Sequence, residues 1–373
     1  MLAPVTMRLC NNAVLIILFA GAVVSLSAQS SSHPQAQGKA TGQTQGQAPT
    51  AGQAPDLTVD RDPVRSPDIE SPAPPLLHKE TGSYVLHSDV EEVVLNCTVL
   101  EGNRLVPDLN KENFSVSEDG VPQKLISFQH TDLPVSIALV VDNSGSMSRK
   151  RPSVNKSALD LIQASNPQDE AFVVNFSDEA FIDQEFTSDV NKLRDGLGHI
   201  ESRGGTALYD AVVASADKLV ADAKRPKQVL ILITDGEDNA STLGLEQTIR
   251  RVQQLSGPVI YSIGLLFGDE MSRAEVRHAH RALEMLSKET GGMAFFPKNI
   301  EQIDQIAAEV ARDIRNQYTL GYHSTKPTTE PGFRFVQVNA QSKDDGKPLI
   351  VRTRTGYYPV VRSAKNPSAQ TQK

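Results

Sequence analysis

Four stretches concentrate the apolar residues of this chain: Val135 to Val141, Ala171 to Phe176, Val229 to Ile233 and Val259 to Leu265. None has the polar alternation of a half-wet strand, so each predicts a strand covered on both faces. Elsewhere apolar residues recur at helical spacing, in the sets Val154, Ala158, Leu161, Ile162 and Leu208, Val212, Ala216, Leu219. Two more such sets are Val276, Ala279, Leu283, Leu286 and Ile303, Ala307, Val310, Ile314. Helices on both faces of a mostly parallel sheet satisfy both patterns, so residues 133–316 predict a doubly wound, Rossmann-like α/β domain. Right-handed crossovers would gather the loops that follow the strands at one edge of that sheet.

On either side of this region the period changes to two. Val93, Leu95, Cys97 and Val99 alternate, as do Phe114 and Val116 before the turn Glu118-Asp119-Gly120 and Ile126 and Phe128 after it. With the β-rich Tyr84 to Leu86 they define a β segment over 84–129, too short for a large core of its own. Phe333 to Val338 and Ile350 to Thr355 flank Lys343-Asp344-Asp345-Gly346, which predicts a hairpin within 318–360. We expect this hairpin to pack with 84–129 as one small β unit that the α/β domain interrupts. Cys97 falls on the inward phase of its strand, which favours a buried thiol over a reactive one. Asn96-Cys97-Thr98 fits the N-glycosylation pattern, a three-residue match of little weight.

The ends of the chain add a location. Arg8 precedes the apolar run Ala13 to Val24, and the small residues Ser25, Ser27 and Ala28 follow, so residues 1–28 read as an export signal. The run is about 12 residues, against about 20 for a membrane span. Cleavage near Ala28 gives a secreted or periplasmic protein; left uncleaved, the same segment would anchor it at a membrane. Residues 29–75 are rich in Gln, Gly, Ala, Ser and Pro and repeat Gly-Gln-Ala-Pro at 46–49 and 52–55. Such a segment buries too little apolar area to offset chain entropy, so a disordered linker is expected, with a second polar tail over 361–373. Once the signal is removed Cys97 has no partner for an intrachain disulfide. The formal charge of -8 and the lack of a basic run argue against nucleic acid and leave room for a metal or a basic ligand.

Candidate chemistry clusters where strands end. Asp142, Ser144 and Ser146 follow the first apolar strand, Thr206 follows Gly204-Gly205 at the start of the Leu208 helix, and Asp235 follows the third strand and precedes Gly236. At the carboxyl edge of an open α/β sheet these loops meet. Carboxylates and hydroxyls with positions left for water suit a hard divalent cation, Mg²⁺ with Mn²⁺ or Ca²⁺ as alternatives. Gly145 is expected to relieve crowding in the first loop, and Gly204 and Gly205 to let the second approach the ion. Taken alone, Asp-x-Ser-x-Ser also suits a helix cap or polar turn. Glu237 and Asp238 are read as capping the loop after Asp235 rather than as a second cation site. His278 and His280, two apart on a helix, face different directions and read as solvent-facing, beside a charged surface patch of Asp269, Glu270 and Glu275.

Asp142-x-Ser144-x-Ser146, followed by Thr206 and Asp235, resembles the metal-ion-dependent adhesion site of the von Willebrand factor type A family at all five positions. The flanking Phe114-Ser-Val-Ser-Glu-Asp-Gly-Val-Pro-Gln, Tyr318-Thr-Leu-Gly-Tyr and Arg354-Thr-Gly-Tyr357-Tyr358-Pro are similar to a subfamily of exported A-domain proteins common in acidobacteria. The resemblance implies a cell-adhesion type of protein binding. Asp142, Ser144, Ser146 and Thr206 would hold the ion directly or through water, Asp235 directly or from behind, and an Asp or Glu of a protein partner would complete it. A structural or assembly component of the cell envelope is the alternative. A metal-dependent hydrolase is less favoured, because the chain has no HExxH, paired cysteines or GxSxG, and no enzyme activity is expected.

Overall fold

The computed structural model describes residues 92–360 apart from 165, 199–201, 256 and 269–270. The expected export signal, linker, Tyr84–Leu86 strand and C-terminal tail lie outside the described residues, as do Asp269 and Glu270.

In chain order, the first strands are β1 (Glu92–Glu101), β2 (Arg104–Leu105), β3 (Phe114–Glu118), β4 (Val121–Gln123) and β5 (Leu125–Gln129). The α/β region follows with β6 (Val135–Asp142), α1 (Arg151–Gln163), β7 (Glu170–Phe176), β8 (Ala180–Thr187), α2 (Val190–Gly198) and α3 (Leu208–Asp222). It continues through β9 (Lys227–Thr234), α4 (Leu245–Leu255), β10 (Val259–Gly264), α5 (Arg273–Thr290), β11 (Ala294–Phe295) and α6 (Ile303–Arg315). The chain then returns to strands with β12 (Tyr318–His323), β13 (Arg334–Gln341), β14 (Pro348–Arg352) and β15 (Gly356–Tyr357).

The α/β sheet runs β11-β10-β9-β6-β7-β8, parallel throughout except for the antiparallel edge strand β8. Every residue of β6 is buried, which is why its sequence is apolar apart from Ser136 and the terminal Asp142. Ile137, Leu139 and Val141 pack with α1, α2 and α6 on one face, whereas Ala138 and Val140 pack with α3, α4 and α5 on the other. Strand β8 and helices α2 and α4 have no counterpart among the patterns read above. They mix apolar and polar positions, and α4 buries only Thr248, Ile249, Val252 and Gln253. Helix α5 starts with a reciprocal cap between Ser272 and Glu275 and ends at Gly291 in the left-handed region. A Cβ on the next residue, Gly292, would stand 1.9 Å from the Ile260 carbonyl oxygen, so only glycine lets the chain pass that close to β10.

The second sheet follows the path β4-β3-β13-β14-β1-β12-β5 and draws its strands from both sides of the α/β region. Strand β1 pairs with β12 along Glu92–Cys97 and with β14 along Thr98–Leu100. Val93, Leu95, Cys97 and Val99 join Phe114, Val116, Tyr318, Leu320, Tyr322, Val336 and Val338 in a core separate from those of the α/β sheet. Burial pushes the Cys97 thiol up to about 12. Leu125, rather than Ile126, points inward with Phe128, because a register shift opposite Gly321/Tyr322 interrupts the two-residue alternation of β5. The same core encloses a carboxylate: Glu118 accepts hydrogen bonds from the Tyr322 and Tyr357 hydroxyls at 2.8 and 2.9 Å and faces Arg334 at 3.5 Å.

Polar contacts fasten the two sheets together. The Arg352 guanidinium on β14 pairs with Asp313 on α6 at 2.5 Å, and Asp313 also accepts the Tyr261 hydroxyl of β10 at 2.5 Å. Thr355 donates to Glu289 of α5.

Candidate metal centre

The sheet order reverses between β6 and β9, since the chain leaves β6 toward β7 on one side and later enters β9 on the other. Loops diverge from such a switch point and leave a crevice at the carboxyl ends of the strands. Val141 pairs with Ile233 there, so Asp142 ends its strand beside Thr234, and Asp235 follows one residue later. The Thr234 hydroxyl donates to Asp142 Oδ2 at 2.6 Å, and the Ser144 backbone N–H donates to Asp142 Oδ1 at 2.7 Å. Asp142 is fully buried, and that burial pushes its carboxyl up to about 6 against the opposing effect of these donors.

A chain of oxygens leads outward from this carboxylate. Ser144 Oγ lies 3.1 Å from Ser146 Oγ, which donates to Asp235 Oδ1 at 2.7 Å. Thr206 comes from the opposite loop, and its Oγ1 lies within 3.4 Å of where a Cβ on Gly236 would stand. Ser146, Thr206 and Asp235 line one cavity of about 230 Å³ with Lys150, Glu237 and Phe267. The structure therefore brings four of the five sequence-derived residues into one hydrogen-bonded or cavity-lining group, with Asp142 anchored directly behind them.

The spacing of these oxygens provides a test of fit. An octahedral ion with metal–oxygen distances of about 2.1 Å has neighbouring ligand oxygens about 3 Å apart. The 2.7 and 3.1 Å separations bracket that edge. Among the described residues no group of three or more His, Cys, Asp or Glu is placed to hold a metal. This set instead combines two carboxylates with three hydroxyls, a hard-oxygen environment of low charge.

The loops are held by residues that the motif does not contain. Asp178 accepts the Gly205 N–H at 2.7 Å and Asn239 accepts the Thr206 N–H at 2.8 Å. Side chains on Gly204 or Gly205 would collide with Asp178 and Asn239, so these glycines make room for loop-holding side chains. A Cβ on Gly145 would meet nothing within 4 Å, so crowding does not explain that residue. Arg151, buried at the start of α1, donates to Asn175 Oδ1 at 2.8 Å and to the Leu197 carbonyl at 3.0 Å, and burial lowers its guanidinium to about 10. Asp178 lies two residues beyond β7, so the strand-end rule that flagged Asp142 and Asp235 also points to it. Lys150 donates to Asp235 Oδ2 at 2.6 Å, and no spacing in the sequence marks it.

Asp238 accepts from the Tyr209 N–H at 3.1 Å and from the Ser241 hydroxyl at 2.5 Å, tying the loop after β9 to α3. Glu237 meets His278 Nδ1 at 3.1 Å. His280 is not simply solvent-facing, because its ring stacks on Phe296 at 3.7 Å between centroids.

Residues 137–237 match the von Willebrand factor type A domain family. That segment, from β6 to the loop after β9, is similar to a von Willebrand factor type A domain. Among curated proteins it is similar to inter-alpha-trypsin inhibitor heavy chain H4 of Homo sapiens, 25% identical over 299 residues, which is 70% of this chain and 30% of that protein. This chain thus spans less than a third of that relative's length. Among solved structures, a von Willebrand factor type A protein from Catenulispora acidiphila gives a TM-score of 0.43 at 14% identity, covering 68% of this chain and 73% of that one. The von Willebrand factor domain of the type V pili tip protein Mfa5 from Porphyromonas gingivalis gives 0.39 at 14% identity, covering 49% and 97%. The switch point that holds Asp142 and Asp235 falls inside the matched A-domain segment.

Proposed function

We propose that this protein is an exported, divalent-cation-dependent protein-binding module of the adhesion type. Asp142, Ser144, Ser146, Thr206 and Asp235 would hold Mg²⁺ or Mn²⁺, and an Asp or Glu side chain of a partner would complete its coordination. The observation that carries this reading is the hydrogen-bonded run of Ser144, Ser146 and Asp235 oxygens, 3.1 and 2.7 Å apart, ending at the cavity that Ser146, Thr206 and Asp235 line. When bound, the ion supplies a positive centre that attracts a carboxylate, because the surrounding hydroxyls leave its charge only partly neutralised. The chain's own residues orient that centre: Thr234 fixes the Asp142 carboxylate, and Asn239 and Asp178 fix the Thr206 loop.

A binding role is favoured over hydrolysis because the Ser144 and Ser146 hydroxyls bond each other and Asp235 rather than a histidine base. Export rests on the apolar run Ala13 to Val24 and the small residues after it. Among the described residues no helix is long and apolar enough to cross a membrane.

Titration calorimetry of the purified protein with Mg²⁺ and Mn²⁺ tests the site. Asp142→Ala should abolish most of the binding seen in wild type, and equal affinity in both would end the assignment. Capture of envelope proteins with and without chelator tests the role. A partner lost on chelation supports adhesion, whereas retention supports a metal-independent assembly component.

A further inference from the structure

Asp235 divides its two oxygens between different neighbours. Oδ1 accepts the Ser146 hydroxyl and so belongs to the run of oxygens, whereas Oδ2 accepts the Lys150 ammonium at 2.6 Å. Both charges are withdrawn from water, with the Asp235 side chain fully buried and that of Lys150 only 13% exposed. The ammonium also stands 5.5 Å from the centre of the Phe267 ring, which lines the same cavity. Lys150 itself is placed by the backbone: it follows the short 3-10 turn Gly145–Arg149 and precedes the first residue of α1. The segment that carries Ser146 to the site therefore also delivers a cation to it, four residues later.

We infer that Lys150 is a built-in counter-cation of this site, which neutralises Asp235 and opposes a divalent ion for the use of that carboxylate. The inference rests on the metal-site reading given above and adds its regulation. An ammonium and a divalent cation compete electrostatically for one buried carboxylate, and low local dielectric makes the competition stronger than in water. Lys150 would thus keep metal affinity modest and leave the bound ion less neutralised by Asp235. A partner carboxylate then meets a more positive centre. Because the ammonium already holds Oδ2, Asp235 has Oδ1 to offer the ion, on the side where Ser146 lies.

The test is Mn²⁺ titration, by calorimetry or by the electron-spin signal of the free ion, of full-length wild type, Lys150→Met, Asp235→Asn and the double variant. Lys150→Met keeps the stem over Phe267 and removes the charge. A unit charge a few ångströms away opposes a divalent ion enough, even at the dielectric of water, for about tenfold in affinity. Lys150→Met is therefore expected to bind Mn²⁺ at least about tenfold more tightly than wild type, with a smaller gain in the Asp235→Asn background, where only the through-space repulsion is relieved. Lys150→Gln, which keeps a hydrogen-bond donor without the charge, should also bind more tightly and replaces Met if that variant fails to fold. In chelator Lys150→Met should melt below wild type, and Mn²⁺ should raise its melting temperature by more than it raises that of wild type. Equal or weaker Mn²⁺ binding in both Lys150 variants, with wild type binding normally, overturns the counter-cation role alone. A gain of undiminished size in the Asp235→Asn background overturns it as well, since the ammonium would then not act through Asp235. Absence of Mn²⁺ binding in wild type and in both Lys150 variants overturns the metal site, and this inference falls with it.

Discussion

Replacing Arg352 by Met should weaken the whole fold, because the pair it forms with Asp313 joins the two sheets across a buried junction. Asp313 is 4% exposed, and without Arg352 it keeps the Tyr261 hydroxyl as a donor. Burial holds that hydroxyl well above its usual range, so it stays protonated and goes on donating. A single neutral donor does not replace a guanidinium. Breaking a buried pair on one side costs about 3–5 kcal/mol, and the partial exposure of the Arg352 side chain, 17%, points to the lower end. About 3 kcal/mol corresponds to a fall of roughly 6–12 °C in melting temperature for a domain near this size. Thermal unfolding followed by circular dichroism and calorimetry would measure it for Arg352→Met, Asp313→Asn and the double variant. The double variant should be less destabilised than the sum of the two single changes, since it leaves no buried charge alone. A melting temperature for Arg352→Met within about 2 °C of wild type would refute the reasoning and make the junction pair energetically neutral.

In a Cys10→Ser background, Cys97 should resist a thiol reagent such as dithionitrobenzoate in the native protein at pH 8 and react within minutes in denaturant, since burial raises its thiol to about 12; fast native labelling would contradict the buried strand position. Gly292→Ala should cost more than about 2 kcal/mol, because the added Cβ meets the Ile260 carbonyl of a central strand, and a denaturant midpoint equal to that of wild type would show that the α5–β11 turn shifts freely. Lys227 is buried beside the end of α6, and burial lowers its ammonium from 10.5 to about 8. Between those values the unfolded chain binds a proton that the folded chain does not, so the penalty is full below pH 8 and fades as pH rises toward 10.5. The stability of wild type relative to Lys227→Met should therefore rise by up to about 3 kcal/mol over that window, and a flat difference in urea midpoints would contradict the shift.

The sequence by itself determined the strands β6, β7, β9 and β10 and the helices α1, α3, α5 and α6. Residues that must be dry on one stripe or on both faces can only be written as apolar runs of fixed period, so burial leaves its imprint on composition. It also marked Asp142, Ser144, Ser146, Thr206 and Asp235, because strand ends in such a sheet fall where ligands bind. The inward phase of Cys97 was legible for the same reason. Strand β8 and helices α2 and α4 were not, since a peripheral element needs few apolar positions and its period is lost among polar residues. The bulge that turns Leu125 rather than Ile126 inward depends on pairing with β12, nearly 200 residues away. Lys150 on Asp235, Asp178 beneath Gly204-Gly205 and Arg352 on Asp313 belong to the same class of fact. Each joins residues far apart in sequence through a contact that has no period to announce it, and only the closed fold decides which charges share a buried space.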